Sequence, residues 1–318
     1  MKPLLEALGR HGAILLAASI VAGLALPDLA AVFRPLLAPA VYGLLALAMT
    51  RIDILAVRGH LRAPARIVLP LAWMNLALPL AIGAAVTAFA PGLGASPGVV
   101  FALVLIASAP PITAAAAISH LLGLDGALSL AILLISTALT PLVTPLMVYL
   151  WMGPDFAISP MALGLRLGLL IGGSWIVAYA ARRYFGRSGI ERNQGVFDGL
   201  NVVLLVVFAV GLMSGIGARF LAQPAHFLML VAIIFTVTLG MGAATTALFR
   251  RFGPRLAGTI GYAAGYRNIA LAIGALGGAV PEDTWTMFAV IQFPIYLSPL
   301  MLRPVCRWLL GSAKRDTT

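Results

Sequence analysis

The sequence predicts an all-α integral membrane protein with ten transmembrane helices. Three observations predict it. Of the 318 residues, 61% are hydrophobic and only 10% are charged, too little charge to coat a soluble fold of this size. Apolar runs recur along the chain at about 20 residues, the length a helix needs to cross a hydrocarbon core of roughly 30 Å. Basic residues collect on alternate connections between these runs, the bias that sets orientation in a membrane. Strand-like alternation is absent, which argues against a membrane barrel.

The spans run at about 11–27, 36–52, 67–90, 98–121, 126–151, 160–181, 197–217, 226–248, 256–279 and 285–309. The first follows a basic start, as a secretory leader would. Glu6, the length of the run and the lack of a clear cleavage site favour a retained helix. The connections are short, so the chain reads as a single polytopic domain. Its first repeat covers about 11–152 and its second about 160–310.

Charge tests this count. With the N-terminus inside, seventeen of the twenty-one Lys and Arg fall on inner segments. They are Lys2 and Arg10; Arg51, Arg58, Arg62 and Arg66; Arg182, Arg183, Arg187 and Arg192; Arg250, Arg251 and Arg255; and Arg303, Arg307, Lys314 and Arg315. Arg34 and Arg219 fall outside, and Arg166 lies near a span end from which it can snorkel. Nine or eleven spans scatter this pattern, so both termini are expected in the cytoplasm. The net charge of +11 then belongs to loops at a membrane and implies no nucleic acid. A lone cysteine, Cys306, forms no intrachain disulfide.

Each half has three spans, a broken fourth and a fifth. Five is odd, so a second copy must enter the membrane inverted, an arrangement common among secondary transporters with discontinuous helices. Pro110 and Pro111 interrupt the fourth span: proline lacks an N–H and pushes its predecessor out of the helical region. Carbonyls are left unpaired before the break, and Thr113 lies just beyond it. The matching break is in Gly258–Gly278, where Gly265, Tyr266, Arg267 and Asn268 sit mid-span. An Arg at that depth costs roughly 3 kcal/mol on insertion scales and marks a functional site by default. The fifth span, with Ser129, Thr137, Pro141 and Pro145, is expected to kink, its threonine hydroxyls serving freed carbonyls. The tenth carries Gln292, Pro294, Tyr296 and Pro299 and is expected to kink too.

Two stretches carry a family likeness. SAPPITAAAAISHLLGLDGALSLAILLISTALTPLVTPLMVYLW (Ser108–Trp151) and GYRNIALAIGAL (Gly265–Leu276) resemble the fourth, fifth and ninth helices of the bile acid:sodium symporter family. That family lies within the superfamily that also holds arsenite and auxin carriers. The match is moderate in the fourth and ninth helices, good through the Ser-Thr-Pro-Thr-Pro pattern of the fifth, and the ten-span layout fits the whole chain. The resemblance implies a core domain and a panel domain, the fourth and ninth helices crossing at the centre of the core. It also implies an organic-anion cavity between the domains and two sodium ions behind the crossing.

The chain departs from that pattern where the sodium ligands fall. The usual Pro-Gly-Gly-Thr-Ala-Ser-Asn is here Pro110, Pro111, Ile112, Thr113, Ala114, Ala115 and Ala116. The serine and asparagine ligands are thus Ala115 and Ala116. A fifth-helix threonine aligns with Leu133, although Ser129 remains. In the ninth helix the acidic ligand aligns with Ala263 and a glutamine with Arg267, while the following asparagine is kept as Asn268. Sodium needs hard oxygen ligands, which alanine and leucine side chains lack. The expectation is therefore that the usual sodium sites are lost and that Arg267 stands in for a bound cation, its guanidinium donating to carbonyls at half-helix ends.

The candidate substrate-binding residues are Arg267, Asn268, Thr113, Tyr266, Asn75 and Gln292, with Pro110, Pro111 and Gly265 shaping the breaks. Each has a bland alternative. Arg267 can be purely structural, Asn268 can be polar glue between helices, and Thr113 can cap a half-helix. No Asp or Glu is deep in a span, since Asp53, Asp125, Asp198, Glu282 and Asp283 fall near ends. The dispersed His11, His60, His120 and His226 make no metal constellation. No HExxH, GxSxG or paired aspartates point to an enzyme, and no cofactor is expected. The expected partners are a small organic anion and the lipid bilayer. An arsenite carrier of the superfamily would use a fourth-helix cysteine, absent here. The readings left open are an organic-anion transporter without sodium, an ordinary sodium symporter, and a membrane sensor or scaffold on a transporter fold. Composition suggests a bacterial inner membrane.

Overall fold

A computed structural model describes residues 2–52, 65–92, 94–153, 158–276 and 280–315. The expectations for Asp53, Arg58, His60 and Arg62, and for the last three residues of the ninth span, lie outside the described residues. The helices are α1 (Lys2–Arg10), α2 (Gly12–Ala25), α3 (Pro27–Phe33), α4 (Leu37–Thr50), α5 (Ala65–Ala72), α6 (Leu78–Phe89), α7 (Pro97–Ser108), α8 (Ala115–Leu121) and α9 (Gly126–Met152). They continue as α10 (Pro160–Arg192), α11 (Gln194–Leu212), α12 (Ile216–Ala222), α13 (Pro224–Phe249), α14 (Pro254–Gly265), α15 (Ala270–Leu276), α16 (Glu282–Val290) and α17 (Gln292–Arg315). Among the described residues, seven continuous helical stretches are long and apolar enough to cross a membrane: Pro27–Thr50, Arg66–Phe89, Gly126–Met152, Pro160–Arg192, Gln194–Ala222, Pro224–Phe252 and Glu282–Gly311. The protein is an all-helical, multi-pass membrane protein.

The other three expected spans take different forms. The first is the short α2, set at 84° to the stretch Lys2–Arg10. The fourth is split into α7 and α8, and the ninth into α14 and α15. Several boundaries also move. The second span starts earlier, at Pro27, because Pro27 at the first helical turn opens a helix that bends only through a 3-10 turn at Arg34–Leu36. The sixth runs on to Arg192, although Gly186 (φ 66°) breaks its helical backbone. The seventh is interrupted at Gly215 (φ 79°), a left-handed position suited to glycine. Two further starts follow capping rules: Ser96 accepts from Val99 N–H ahead of Pro97, and Asp125 accepts from Leu128 N–H at the head of α9.

Packing sorts the chain into two compact units. One comprises Met1–Ile52, Leu165–Phe227 and Ala270–Ala279; the other comprises Asp53–Gly164, Leu228–Ile269 and Val280–Thr318. The first unit therefore takes the first, second, sixth and seventh apolar segments, with the far half of the ninth. The second takes the third, fourth, fifth, eighth and tenth, with the near half of the ninth. Apart from that divided ninth, segments at equivalent places in the two halves of the sequence fall in the same unit.

Within the first unit, Arg182 closes the end of α4. Its guanidinium donates to the carbonyls of Met49 (2.6 Å), Thr50 (3.0 Å) and Ile52 (2.6 Å). These are carbonyls that a helix C-terminus leaves without intrahelical partners. Arg51 pairs with Asp198 of α11 at 2.7 Å. Gly199 lets α1 lie against α11, since a Cβ there would come within 2.0 Å of the Leu5 carbonyl oxygen. Arg166, near the start of α10, donates to Ala275 O at the end of α15 (3.4 Å).

In the second unit, α13 and α14 touch backbone to backbone. A Cβ on Gly261 would lie 1.9 Å from Thr246 Oγ1 and 2.7 Å from Gly242 O, and one on Gly265 would lie 2.8 Å from Thr238 O. The Gly261–Gly265 spacing thus serves the close approach typical of small residues at membrane helix contacts. Helix α7 packs on α16 through Thr284, which donates to Gly98 O at 2.7 Å, and Ser96, which donates to Asp283. Replacing Gly261 by alanine is expected to lower stability by about 1–3 kcal/mol, because the Thr246 hydroxyl must leave its place. Gly240→Ala, where the added methyl meets open space, serves as the control. Thermal unfolding in detergent checks both, and equal melting temperatures for the two variants would refute the close crossing.

Candidate functional site

The two helix breaks meet, and the meeting pairs several of the backbone groups they free. Helix α7 ends at Ser108 because Pro110 has no N–H for Ile106 and forces Ala109 to extended backbone (φ −67°, ψ 155°). Helix α14 ends at Gly265, with Tyr266 extended (φ −107°, ψ 95°). The extended residues pair as an isolated antiparallel bridge between Pro111 and Arg267. Ile112 N–H donates to Tyr266 O at 3.0 Å, and Asn268 N–H donates to Pro110 O at 2.7 Å. In this register the N–H of the residue at position 111 would point away from its partner strand. Proline therefore sits there without costing the bridge a bond.

Arg267 fastens the junction. Its side chain is 0% exposed. Nε donates to Ala264 O (2.8 Å), Nη1 to Ala109 O (2.9 Å) and Nη2 to Met74 O (3.3 Å). Ala109 and Ala264 carry carbonyls at the ends of the two half-helices, where the peptide dipoles leave partial negative charge. One cationic fork thus joins both broken helices and a third element. Three of its five N–H groups are used, all on carbonyls. Thr144 of α9 adds one more bond, donating to Ser108 O at 3.1 Å.

The third carbonyl comes from a feature that the sequence reading missed. Between α5 and α6, residues Trp73–Ala77 form a π-turn in which Leu78 N–H reaches back to Trp73 O. Met74 O would then look five residues on, to residue 79, and Pro79 has no N–H to give. The carbonyl is free, and Arg267 takes it. Pro79, inside an otherwise apolar span, was the available signal.

The structure brings together some of the sequence candidates and separates others. Arg267, Tyr266, Gly265, Pro110 and Pro111 form the junction, and Asn268 enters it through its backbone with the residue 9% exposed. Thr113 lies on the exposed side of the break. It does not cap α8, whose N-cap is Ala114 with no side-chain bond. Asn75 is buried in the π-turn, where its amide donates to Leu71 O (2.9 Å) and Ser136 Oγ (3.1 Å). Gln292 is buried at the head of α17. Tyr266 stacks on Tyr262 with centroids 4.7 Å apart, and its hydroxyl, fully buried, has no hydrogen-bond partner. The fifth-span threonines differ from expectation. Thr137 and Thr140 donate to Leu133 O and Ser136 O, each four residues back, and not to the Thr137 and Pro141 carbonyls that Pro141 and Pro145 free. α9 nonetheless runs unbroken through both prolines.

The positions that would ligate sodium by family resemblance do not fit a cation. Ala115, Leu133 and Ala263 are buried and, like Ala116, have no side-chain oxygen. Ser129 Oγ is buried without a partner, and a single hydroxyl does not make a sodium site. The guanidinium already holds the half-helix carbonyls. Among the described residues, no three His, Cys, Asp or Glu side chains are grouped to hold a metal. No family model and no curated protein matches the chain.

Arg267→Gln is expected to destabilise the protein by several kcal/mol, at about 1–3 kcal/mol for each stranded carbonyl. Arg267→Lys keeps the charge but not the planar fork and should fall between. The order of melting temperatures, Arg above Lys above Gln, is the readout. A glutamine variant as stable as the parent would remove the guanidinium from its fastening role.

Proposed function

We propose that the protein is a secondary transporter of a small organic anion, such as a carboxylate or sulfonate. We read it as built on the ten-span, inverted five-plus-five plan of the bile acid:sodium symporter family, with alternating access. In this reading Arg267 replaces the bound cation, and the carrier works as a uniporter or exchanger without sodium. One observation carries the reading: a buried guanidinium holds together two broken helices by their carbonyls, with no carboxylate bonded to it among the described residues. Two facts support it further. Apart from the divided ninth, the packing units gather equivalent segments from the two halves of the chain, the pattern that two intertwined repeats would give. The resemblance at Ser108–Trp151 and Gly265–Leu276 covers the same two breaks.

Chemically, a cation is needed at such a crossing because the ends of two half-helices would otherwise face one another with like partial charge. A carrier that must first bind sodium assembles that junction only when loaded. Here it is assembled permanently. The anion then binds on the exposed side of the fourth-segment break, where Thr113 offers a hydroxyl, drawn by the positive charge of Arg267 behind it. The protein belongs, in this reading, in a bacterial inner membrane with both termini cytoplasmic.

The test is thermal unfolding of the purified protein against a panel of organic anions, in sodium buffer and in choline buffer. An anion that binds the folded state at a hundred times its Kd stabilises it by about 2.7 kcal/mol. The same shift is expected in both buffers. Thr113→Ala, at an exposed position, should lose it while leaving the ligand-free melting temperature in place. A shift that requires sodium would return the protein to the ordinary symporters. Binding without uptake into proteoliposomes would make it a sensor or scaffold.

A further inference from the structure

The π-turn has a second face. On it, an open groove of about 460 Å³ runs between the third span and the end of α13. Leu69, Leu76 and Leu80 line one side, and Leu248 and Phe249 the other. Trp73 ties the sides together, its indole N–H donating to Thr245 Oγ1 at 2.9 Å, so the groove is preformed. Leu69, Leu76, Leu80 and Leu248 are exposed apolar side chains.

At one end the chemistry changes. Arg251 lies in the lining, its guanidinium over the ring of Phe252 at 5.1 Å from the centroid. It is exposed and forms no ion pair with a carboxylate among the described residues. Arg250 precedes it, and Arg66 stands at the start of the span that supplies the opposite wall. From Leu69 to Leu80 a helix rises about 16 Å, close to half of a hydrocarbon core of roughly 30 Å. The longer wall of the groove is therefore about as long as one leaflet's hydrocarbon is thick, apolar along its length, with a cation at one end.

We propose that this groove is a specific site for one anionic phospholipid, its acyl chain along Leu69–Leu80 and its phosphate on Arg251. A guanidinium already stacked on an aromatic ring presents its edge, with paired N–H donors, to phosphate oxygens. A zwitterionic lipid offers the same phosphate but brings its own cation close to Arg250 and Arg251, which a net-negative headgroup does not. The site rests on the protein's being a multi-pass membrane protein and is independent of the transport reading, so either can fail without the other.

The experiment uses the full chain, delipidated in mild detergent and titrated with dioleoyl phosphatidylglycerol or dioleoyl phosphatidylcholine. Native mass spectrometry and melting temperature are the readouts. One phosphatidylglycerol should be retained per chain, with at least tenfold preference over phosphatidylcholine and a rise in melting temperature. Arg251→Gln should abolish the preference with no change in lipid-free stability, and Arg251→Lys should keep most of it. Ala72→Trp, which fills the groove from an exposed position, should weaken retention of phosphatidylglycerol. Equal retention of the two lipids would overturn the proposal, since it would mean annular lipid only. An Arg251→Gln variant that keeps the preference would also overturn it.

Discussion

A buried guanidinium bonded to three carbonyls from three different elements is the constraint on which the second unit depends. Breaking a helix inside a bilayer strands backbone acceptors that water cannot reach, at a cost of several kcal/mol each. Here two helices break at the same place, and each repairs part of the other through the short bridge at Pro111 and Arg267. The bridge alone leaves Ala109, Ala264 and Met74 without donors. Arg267 supplies all three, so the π-turn, the fourth-segment break and the ninth-segment break are one structural event. None of the three is locally satisfied without the others.

The same chemistry recurs elsewhere at smaller scale. Arg182 takes the last carbonyls of α4, Arg166 takes Ala275 O, and Arg255 takes Leu124 O. A chain with 21 basic and 10 acidic residues has few carboxylates to pair with its arginines. Backbone carbonyls at helix ends are the acceptors that remain. The Arg182 and Arg166 contacts place a cation at the negative end of a helix, which favours it further. They also keep polar satisfaction inside each unit without requiring a second charged side chain to be desolvated.

The all-α membrane class and the apolar segments were legible because about 20 consecutive apolar residues leave few alternatives. Pro110 and Pro111 announced a helix end by rules that act within four residues, and the helix does end at Ser108. Arg267 stood out because of its depth alone. What it binds was less accessible, since Met74 lies nearly two hundred residues away and becomes an acceptor only through a register change around Pro79. Thr113 looked like a cap, yet α8 begins one residue later than a cap at that position requires. Thr137 and Thr140 bond to the carbonyls four residues back in their own helix, the usual local bond of a helical threonine, and not to those the prolines free. Local rules located the places where the backbone fails, and tertiary contacts decided which distant group repairs it.

A guanidinium differs from a bound ion in one further respect: it can never leave. Moving one elementary charge across a membrane changes its energy by about 2.3 kcal/mol for every 100 mV, and a partial displacement takes a proportional share. Arg267 carries such a charge deep in an apolar segment, with no carboxylate bonded to it among the described residues. Any rearrangement that shifts the junction along the membrane normal therefore does work with or against the transmembrane voltage. In the carrier proposed above, membrane polarity would bias which way the unladen protein faces, and a monovalent anion beside the guanidinium would cancel that bias.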